Sequence, residues 1–566
     1  MRKVILSTLL ATLAFSVPAC KEPDPNKFET HLDRIKTSDK RASGFSGLER
    51  LTKTIVTARD NDDLIDEFAQ KVIPVFEEVW EDAKEQHETM LQLLRDVGHP
   101  AGTPIWVKAL PLDGSSDARK ETIMALDGIR KARAVDAAEA IIEELDKIIG
   151  DPKNDKGDQE EGRVRMLMAE TLGVLGSSKA VPVLIKAMEQ TREKQPVRVH
   201  RAAAEALGRI GDPVAVDALI TVTFRVPDTP STNDISQRSR LALVRIGEPA
   251  VPALLKMLRG EHDEVNKLAA AAGLDLIVVQ QTAAGILGSI GSPTAVDQLI
   301  AFMPKDSCKD PKAEADPADG SLRAVISNAL GFIGDPKAAE AMCGCVLATD
   351  NPGDMFPIIE ALGRVGGDKA FECLLEVVKE GAYDTEVVEK DQKYQPRWEA
   401  GRFAVLVAKP EDAGKIREAF AANKDPEVKE HLDHWEPGLA LLDECKADRG
   451  CYEKTLADVN ADWFAREKAA YEVARQGDGD AKAASAIAQA FRVRDPDARV
   501  TMAWLAAKVL PGAKCPECTT AINGVLEAEK TSMDAKYQLS VLTARATMAK
   551  LEAPGGQGSG DDAAGE

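Results

Sequence analysis

Aromatic residues are scarce in this sequence: Phe, Trp and Tyr make up only 4% of its 566 residues. So few rings leave little for bases or sugars to stack on. The charge is strongly acidic, with 93 Asp and Glu against 72 Lys and Arg and a formal net charge of −21. Because such a surface repels phosphate backbones, the composition excludes nucleic acid as an expected partner.

Familiar catalytic motifs are also missing. The sequence contains no glycine-rich phosphate loop, no G-x-S-x-G elbow and no H-E-x-x-H zinc motif. Of its seven histidines, only His431 and His434 lie close together. On a helix this spacing could supply two metal ligands, but no second cluster supplies the others. We therefore expect no metal, no catalytic residue and no cofactor apart from the covalent lipid described next.

The first twenty residues, MRKVILSTLLATLAFSVPAC, have the organisation of a secretory signal: two cations, an apolar run and a small residue before the cleavage point. The run from Val4 to Val17 is shorter than the roughly 20 residues of a spanning helix. Val17-Pro18-Ala19-Cys20 resembles a bacterial lipobox, although Pro18 departs from the usual residue. The resemblance implies lipid on the sulfur of Cys20, with an ordinary cleaved signal as the alternative. We expect a cell-envelope protein, lipid-anchored to a membrane and facing the periplasm or the cell surface.

Eight of the nine cysteines remain when Cys20 is set aside, and an even number favours disulfides in an exported protein. Cys515 and Cys518 form a C-x-x-C preceded by an alanine-rich helix rather than a strand. A local structural disulfide between these two cysteines is the favoured interpretation, and a thiol–disulfide oxidoreductase is the alternative.

The other cysteines are weaker candidates for disulfides. Cys445 and Cys451 are six residues apart, which is too far for a bridge along a continuous helix, so a bridge predicts a break between them. Further candidate pairs are Cys345 with Cys373, and Cys308 with either Cys343 or Cys345.

A short phrase recurs through the middle of the chain, as L-G-x-x-G in five places and as L-V-R-I-G at 243–247. Its second glycine recurs at intervals of 35, 36, 44, 43 and 32 residues, at Gly176, Gly211, Gly247, Gly291, Gly334 and Gly366. A period in this range indicates stacked pairs of helices. In one such unit Gly211 can end the first helix in a left-handed conformation, and Asp212 followed by Pro213 can begin the next.

These residues resemble HEAT repeats, specifically the short bacterial type first described in phycobilisome lyases. The resemblance implies an all-α fold, an α-solenoid of stacked antiparallel helix pairs, and binding of other proteins along a surface formed by the second helices. One HEAT-repeat enzyme family, the deoxyhypusine hydroxylases, binds two irons through several His-Glu dipeptides. This sequence has a single one, His87-Glu88, so that activity is not expected.

The predicted organisation is a lipoprotein signal peptide at 1–19, a lipidated tether at 20–27, an N-terminal helical cap at 28–110, the HEAT-like array at 111–400, degenerate repeats at 401–552 and a disordered acidic tail at 553–566. Weaker units are expected at 118–145, 402–420, 464–491 and 500–526, and inserted loops at 226–233, 304–320 and 381–397. Four tryptophans in the C-terminal third could anchor a partner or fill gaps between irregular units: Trp398, Trp435, Trp463 and Trp504.

The function predicted from these features is a lipid-anchored scaffold that binds one or more unidentified proteins. A purely structural envelope lipoprotein is a further alternative, besides the thiol–disulfide enzyme.

Overall fold

The computed structural model describes residues 24–57, 62–150, 159–190, 196–225, 233–304, 317–348, 352–380, 396–423, 426–477, 481–490 and 496–509, together with 520 and 523. Within these residues the chain is helical and contains no strand, which confirms the predicted all-α class. None of the described helices is both long and apolar enough to cross a bilayer. The chain divides into two compact units, Met1–Ala140 and Ile141–Glu566. The predicted signal peptide, inserted loops and tail lie wholly or largely outside the described residues.

The first unit is built around phenylalanine rings. Phe28 meets Phe68 edge-on at 6.0 Å between ring centroids, and Phe76 lies 5.6 Å from Phe45 and 6.3 Å from Phe68. All four side chains are buried. The helices here are α1 (Phe28–Lys36), α2 (Arg41–Thr57), α3 (Asp62–Val79), α4 (His87–Val97), α5 (Thr103–Lys108) and α6 (Ser116–Ala132), and α7 (Ala138–Gly150) follows.

Helix α6 ends without the glycine that marks later repeats. Arg133 follows it at φ 49°, a left-handed conformation that is unusual for a side chain with a Cβ. The N–H of Ala134 donates to the carbonyl of Ile129 at 3.0 Å, which closes the same kind of turn. The weak unit expected at 118–145 therefore keeps a left-handed residue at the end of its first helix. It lacks only glycine, the residue that adopts this conformation most easily.

The second unit is a succession of helix pairs. The first helices of the pairs are α8 (Gln159–Leu175), α10 (Val197–Ile210), α12 (Asn233–Ile246), α15 (Leu276–Ile290), α17 (Pro317–Ile333), α19 (Pro352–Val365), α21 (Pro396–Val407), α23 (Pro426–Cys445), α25 (Trp463–Gln476) and α27 (Pro496–Val509). The second helices are α9 (Val181–Glu189), α11 (Val216–Phe224), α13 (Val251–Leu258), α16 (Val296–Phe302), α18 (Ala338–Val346), α20 (Gly367–Glu380), α22 (Ala413–Ala422), α24 (Arg449–Ala457) and α26 (Ala481–Gln489).

Stacking in this unit is regular. Each first helix packs against the next first helix, and each second helix packs against the first helix that follows it. Apolar stripes that one pair leaves uncovered are therefore buried by its neighbour, as expected of an α-solenoid. The pair α23–α24 lies between the weaker units that the sequence suggested, so the sequence underestimated the number of repeats.

One helix interrupts this alternation. Helix α14 (Asp263–Ala271) lies between α13 and α15 in the chain and packs against α11. This insertion accounts for the long interval between Gly247 and Gly291.

The two glycines of the repeated phrase have different roles. The second glycine has φ between 66° and 74° in all six phrases. Its N–H donates to the carbonyl of the leucine that opens the phrase, as in Gly211 to Leu207 at 3.0 Å. The first glycine instead allows two first helices to approach closely. A Cβ built on Gly288 of α15 would lie 2.5 Å from the Cα of Ala329 on α17.

We predict that Gly288→Ala destabilises the array, whereas Gly285→Ala in the same helix stabilises it. Overpacking a close contact costs about 1–3 kcal/mol, which should outweigh the gain of about 1 kcal/mol in helix propensity. At Gly285 nothing lies within 4 Å of the added methyl group, so only the gain remains. Hydrogen exchange of α15 and α17 measures both effects. If both variants changed the exchange rates of these helices equally and in the same direction, the assigned role of the first glycine would be wrong.

Candidate functional site

Helix α21 also ends without a glycine. The N–H of Ala408, which follows this helix, donates to the carbonyl of Ala404 at 3.0 Å. The carbonyls of Leu406 and Ala408 then accept hydrogen bonds from Nζ of Lys468 on α25, at 3.0 and 2.8 Å. Lys468 is completely buried. A side chain from a distant helix thus satisfies carbonyl groups that the end of α21 would otherwise leave without partners.

Lys468 is paired with a buried carboxylate. Its Nζ lies 2.8 Å from Oε1 of Glu472, one turn along α25, and Arg475 contacts the second oxygen of Glu472. Burial lowers the pKa of Lys468, and the charge of Glu472 opposes that effect. Burial also pushes the pKa of Glu472 upward, but the charge of Lys468 and the hydrogen bonds from Arg475 and Lys468 outweigh it and bring the pKa below its usual range.

A second buried ion pair lies alongside. Nη2 of Arg402 on α21 lies 2.9 and 2.8 Å from the two carboxylate oxygens of Glu467 on α25. Both residues are almost fully buried, and the guanidinium also lies 5.7 Å from the ring centroid of Trp463. Ion pairs at this depth need good geometry to offset the loss of hydration. The contact of α21 with α25 therefore includes a buried ion pair, whereas α15, α17 and α19 meet at the contacts of Gly288 with Ala329 and of Gly331 with Ala361.

Two further side chains reach the ends of earlier first helices. The hydroxyl of Tyr471 on α25 donates to the carbonyl of Gly363 on α19 at 3.3 Å, and Nε1 of Trp504 on α27 donates to the carbonyl of Phe332 on α17 at 3.0 Å. Burial raises the pKa of Tyr471, which keeps its hydroxyl protonated as a donor. Helices α25 and α27, which we call the strap, thus bond to the C-terminal ends of α17, α19 and α21.

A pocket of about 410 Å³ lies between the strap and these helix ends. The turn at residues 363–367 and the side chains of Leu406 and Val407 form one side of it. The strap contributes the other side, through Tyr471, Glu472, Arg475, Trp504, Lys508 and Val509. The pocket thus brings cationic and apolar side chains together next to the last repeated phrase, which ends at Gly366, and beside Trp504.

Three of the four tryptophans noted in the sequence form one cluster. The ring centroid of Trp435 lies 4.6 Å from that of Trp398 and 6.5 Å from that of Trp463. Trp504 lies elsewhere, 6.3 Å from Tyr471 in the strap. His431 and His434 contact the ring of Trp398, at 4.8 and 4.6 Å. Across the described part of the chain no three His, Cys, Asp or Glu side chains are grouped as metal ligands would be.

Two disulfides between described residues join four of the candidate cysteines to one another. Cys373 on α20 is joined to Cys343 on α18, with Cα atoms 5.8 Å apart, and not to Cys345 as the sequence suggested. Residues two positions apart point to nearly opposite sides of a helix, so when Cys343 faces α20, Cys345 cannot. Cys345 is itself disulfide-bonded. Cys20, Cys308, Cys515 and Cys518 lie outside the described residues, and their roles stay predictions.

Cys445 and Cys451 are also joined, with Cα atoms 5.4 Å apart. Helix α23 ends at Cys445 and α24 begins at Arg449. The helix is therefore interrupted between the two cysteines, as a disulfide between them requires. The hydroxyl of Tyr452 donates to the carbonyl of Lys446 at 2.7 Å across this turn. Burial raises the pKa of Tyr452 to about 12.

Comparison with known proteins identifies the repeat and no individual relative. Residues 158–224, which contain α8 to α11 up to Phe224, match the family model described as HEAT repeats. No curated protein sequence matches the chain.

Several solved structures resemble the chain. The complex of CpcE and CpcF of phycocyanin lyase from Nostoc sp. is 20% identical and covers 54% of this chain and 94% of its own, with a TM-score of 0.24. Human deoxyhypusine hydroxylase in complex with glycerol is 17% identical, and the match covers 60% of this chain and 96% of the hydroxylase chain, with a TM-score of 0.20. Importin beta is 12% identical, and the match covers 93% of this chain and 74% of the importin chain, with a TM-score of 0.34.

We predict that Lys468→Met destabilises α21 and α25 by up to about 3–5 kcal/mol, the cost of breaking a buried ion pair, because Glu472 would keep only Arg475 as its partner. The carbonyls of Leu406 and Ala408 would lose their donor as well. Native-state hydrogen exchange of the two helices measures the loss locally.

The matched control is Lys454→Met on α24, where the side chain is exposed and the change should stay within about 0.5 kcal/mol. The assigned role of Lys468 would be wrong if the two variants behaved alike.

Proposed function

We propose that this protein is a lipid-anchored scaffold of the cell envelope that binds another protein along the second helices of its repeats. The observation that carries the proposal is a row of half-buried aliphatic side chains on α9, α13 and α16. Ile185, Leu255 and Ile300 each occupy the fifth position of their helix. We call these three residues the aliphatic row.

The recurrence of the row at one helical position supports a shared role. In α11 the fifth residue is Ile220, which is buried, and α14 packs against that helix. In α9, α13 and α16 the same position stays partly open to solvent, whereas in α18 and α20 it holds Met342 and Phe371, which are buried. The open surface that a partner could cover is therefore confined to α9, α13 and α16.

The size of the row indicates how it would act. Burying a whole Leu or Ile side chain contributes about 1.5–3 kcal/mol, and at most about a third of each of these three side chains is exposed, so the row offers about 1.5–3 kcal/mol at most. That alone corresponds to binding in the millimolar range or weaker. The row is therefore an anchor within a wider contact, to which exposed charges such as Lys256 on α13 add specificity.

The location of the protein rests on separate support. The signal and the lipobox-like Cys20 imply export and attachment to a membrane. Two cysteine pairs joined in the structure suit an oxidising compartment, where disulfides form and persist. Two or more acyl chains on Cys20 would make residence at the membrane stable.

We expect Cys20→Ser to abolish labelling by radioactive palmitate and to move the protein from the membrane fraction to the soluble fraction. Cys445→Ser is the control, because it removes a cysteine and leaves the lipobox-like sequence intact. If the unaltered protein takes up no palmitate and fractionates as soluble, the ordinary cleaved signal is the correct alternative.

We expect the double variant Ile185→Asp, Leu255→Asp to lose a discrete partner that crosslinking and purification from membranes recover with the unaltered protein. Each carboxylate would have to be buried without a partner, which should weaken binding at least tenfold. Gly285→Asp is the control, since it places the same charge on first helix α15, where nothing lies within 4 Å. Recovery of the same partner with both variants, or of no partner under several conditions, would overturn the proposed binding face.

A further inference from the structure

We propose that the first unit lies against the membrane with the end at which α1 begins, and that this end makes apolar contact with a zwitterionic lipid surface. The inference deepens the proposed function: it rests on the lipid anchor at Cys20 and not on the binding of a partner. Three observations carry it, which are the reach of the tether, the directions of the helices and the position of the exposed apolar side chains.

The tether is too short to hold α1 far from the lipid. Asp24 follows Cys20 by four residues, so the Cα atoms of the two residues are at most about 14 Å apart. The carbonyl of Asp24 accepts from the hydroxyl of Thr30 at 2.7 Å, and the carbonyl of Pro25 lies 2.8 Å from Nε2 of His31. The last residues of the tether are therefore fixed to α1. A lipid on Cys20 thus keeps the start of α1 close to the headgroups.

Helix α3 begins at the same end as α1. The ring of Phe28 packs against Phe68, and further along Lys36 pairs with Glu78 at 2.6 Å. Later residues of α1 thus face later residues of α3, so the two helices run in the same direction. Leu64 lies one turn before Phe68, about 6 Å nearer to the tether. The first turn of α3 is therefore level with the start of α1.

Helix α2 runs the opposite way and ends there. A Cβ on Gly44 would lie 2.9 Å from the backbone nitrogen of Ile35, whereas one on Gly47 would lie 2.1 Å from Nδ1 of His31. Later residues of α2 therefore face earlier residues of α1. Val56 comes nine residues after Gly47, about 13 Å further along the axis. It lies beyond the first residue of α1, on the side of the tether.

Helices α4 and α6 also end at this level. His99, just after α4, has Nε2 3.7 Å from a carboxylate oxygen of Asp66, in the second turn of α3. Lys131 in the last turn of α6 donates to the carbonyl of Asp96 in the last turn of α4 at 2.7 Å. Val135 lies in the turn that follows α6. The ends of five helices thus form one face of the first unit, which we call the tether face.

The tether face carries the exposed apolar side chains of the unit. Val56, Leu64 and Val135 are 47%, 37% and 59% exposed, and no other large apolar side chain is so exposed among the described residues of the first unit. Charges of both signs lie around them, such as Lys27, Lys131 and Arg133 against Asp24, Asp62 and Asp63, with carboxylates slightly in excess. Because this balance does not attract an anionic surface, the contact depends on apolar burial and suits zwitterionic lipid.

Fluorescent probes on the lipidated full chain test this orientation. A polarity-sensitive nitrobenzoxadiazole group is attached through Leu64→Cys, Val135→Cys or, as the control, Glu85→Cys, and the protein is bound to phosphatidylcholine vesicles. Glu85 is exposed and follows α3 at its other end, and that helix of 18 residues is about 27 Å long. The unaltered protein, labelled in the same way, gives the background from native thiols.

On vesicles the emission of the Leu64 and Val135 probes should rise at least twofold, because apolar groups at a membrane surface enter the boundary of headgroups and acyl chains about 5–10 Å deep. Lipids that carry a nitroxide on the acyl chain should quench both probes. The Glu85 probe should remain in water and change little.

A charge-matched pair of variants assigns the contact to the tether face. In Val56→Asp, Leu64→Asp the Val135 probe should lose most of its quenching, because a carboxylate is costly to bury in lipid. Flotation with the vesicles should persist through Cys20. Lys84→Asp makes the same total change in charge beside Glu85 and should leave the quenching of the Val135 probe unchanged.

The outcomes separate the orientation from the anchor. If the protein floats with vesicles but the Leu64 and Val135 probes behave like the Glu85 probe, the orientation is wrong and the anchor stands. If the two charge variants quench alike, the tether face does not contact lipid through these side chains. If the unaltered protein does not float, the anchor itself is wrong and the orientation fails with it.

Discussion

Every helix in this molecule ends with carbonyl groups that need hydrogen-bond donors, and the way those ends are satisfied organises the second unit. In six phrases a glycine at positive φ donates to the leucine four residues before it, and the chain turns within a few residues. These carbonyl groups are satisfied within the same turn of the chain. Each unit therefore depends on its neighbours only to bury its apolar surface. Regular stacking follows directly from this turn.

Helix α21 shows what happens when the glycine is absent. Its end is satisfied by Lys468, which lies about sixty residues further along the chain, and burying that ammonium brings Glu472 with it. Tyr471 and Trp504 donate to the ends of α19 and α17 in the same way. Of these three helices only α21 lacks the glycine turn, whereas α17 and α19 keep theirs at Gly334 and Gly366 and bond to the strap in addition. The pocket lies between the helices that these contacts hold together.

The sequence predicted the local features well and the distant ones poorly. The spacing of L-G-x-x-G was enough to infer helix pairs, because glycine conformation and helix termination depend on a few adjacent residues. The contact of Gly288 with Ala329 and the pair formed by Arg402 with Glu467 could not be inferred, since neither has a signal within its own segment. Cys373 was assigned the wrong partner for a related reason. Spacing along the chain does not say which side of α18 faces α20.

The two ways of ending a helix also imply different cooperativity. Where glycine closes the turn and the strap makes no contact, a pair of helices can open when its neighbours do, independently of the rest of the chain. Where the strap bonds to α17, α19 and α21, opening any one of these ends breaks a contact with α25 or α27. The C-terminal repeats should therefore open together, as one cooperative unit. A decayed repeat sequence here marks a change in how the helices are joined rather than a loss of structure.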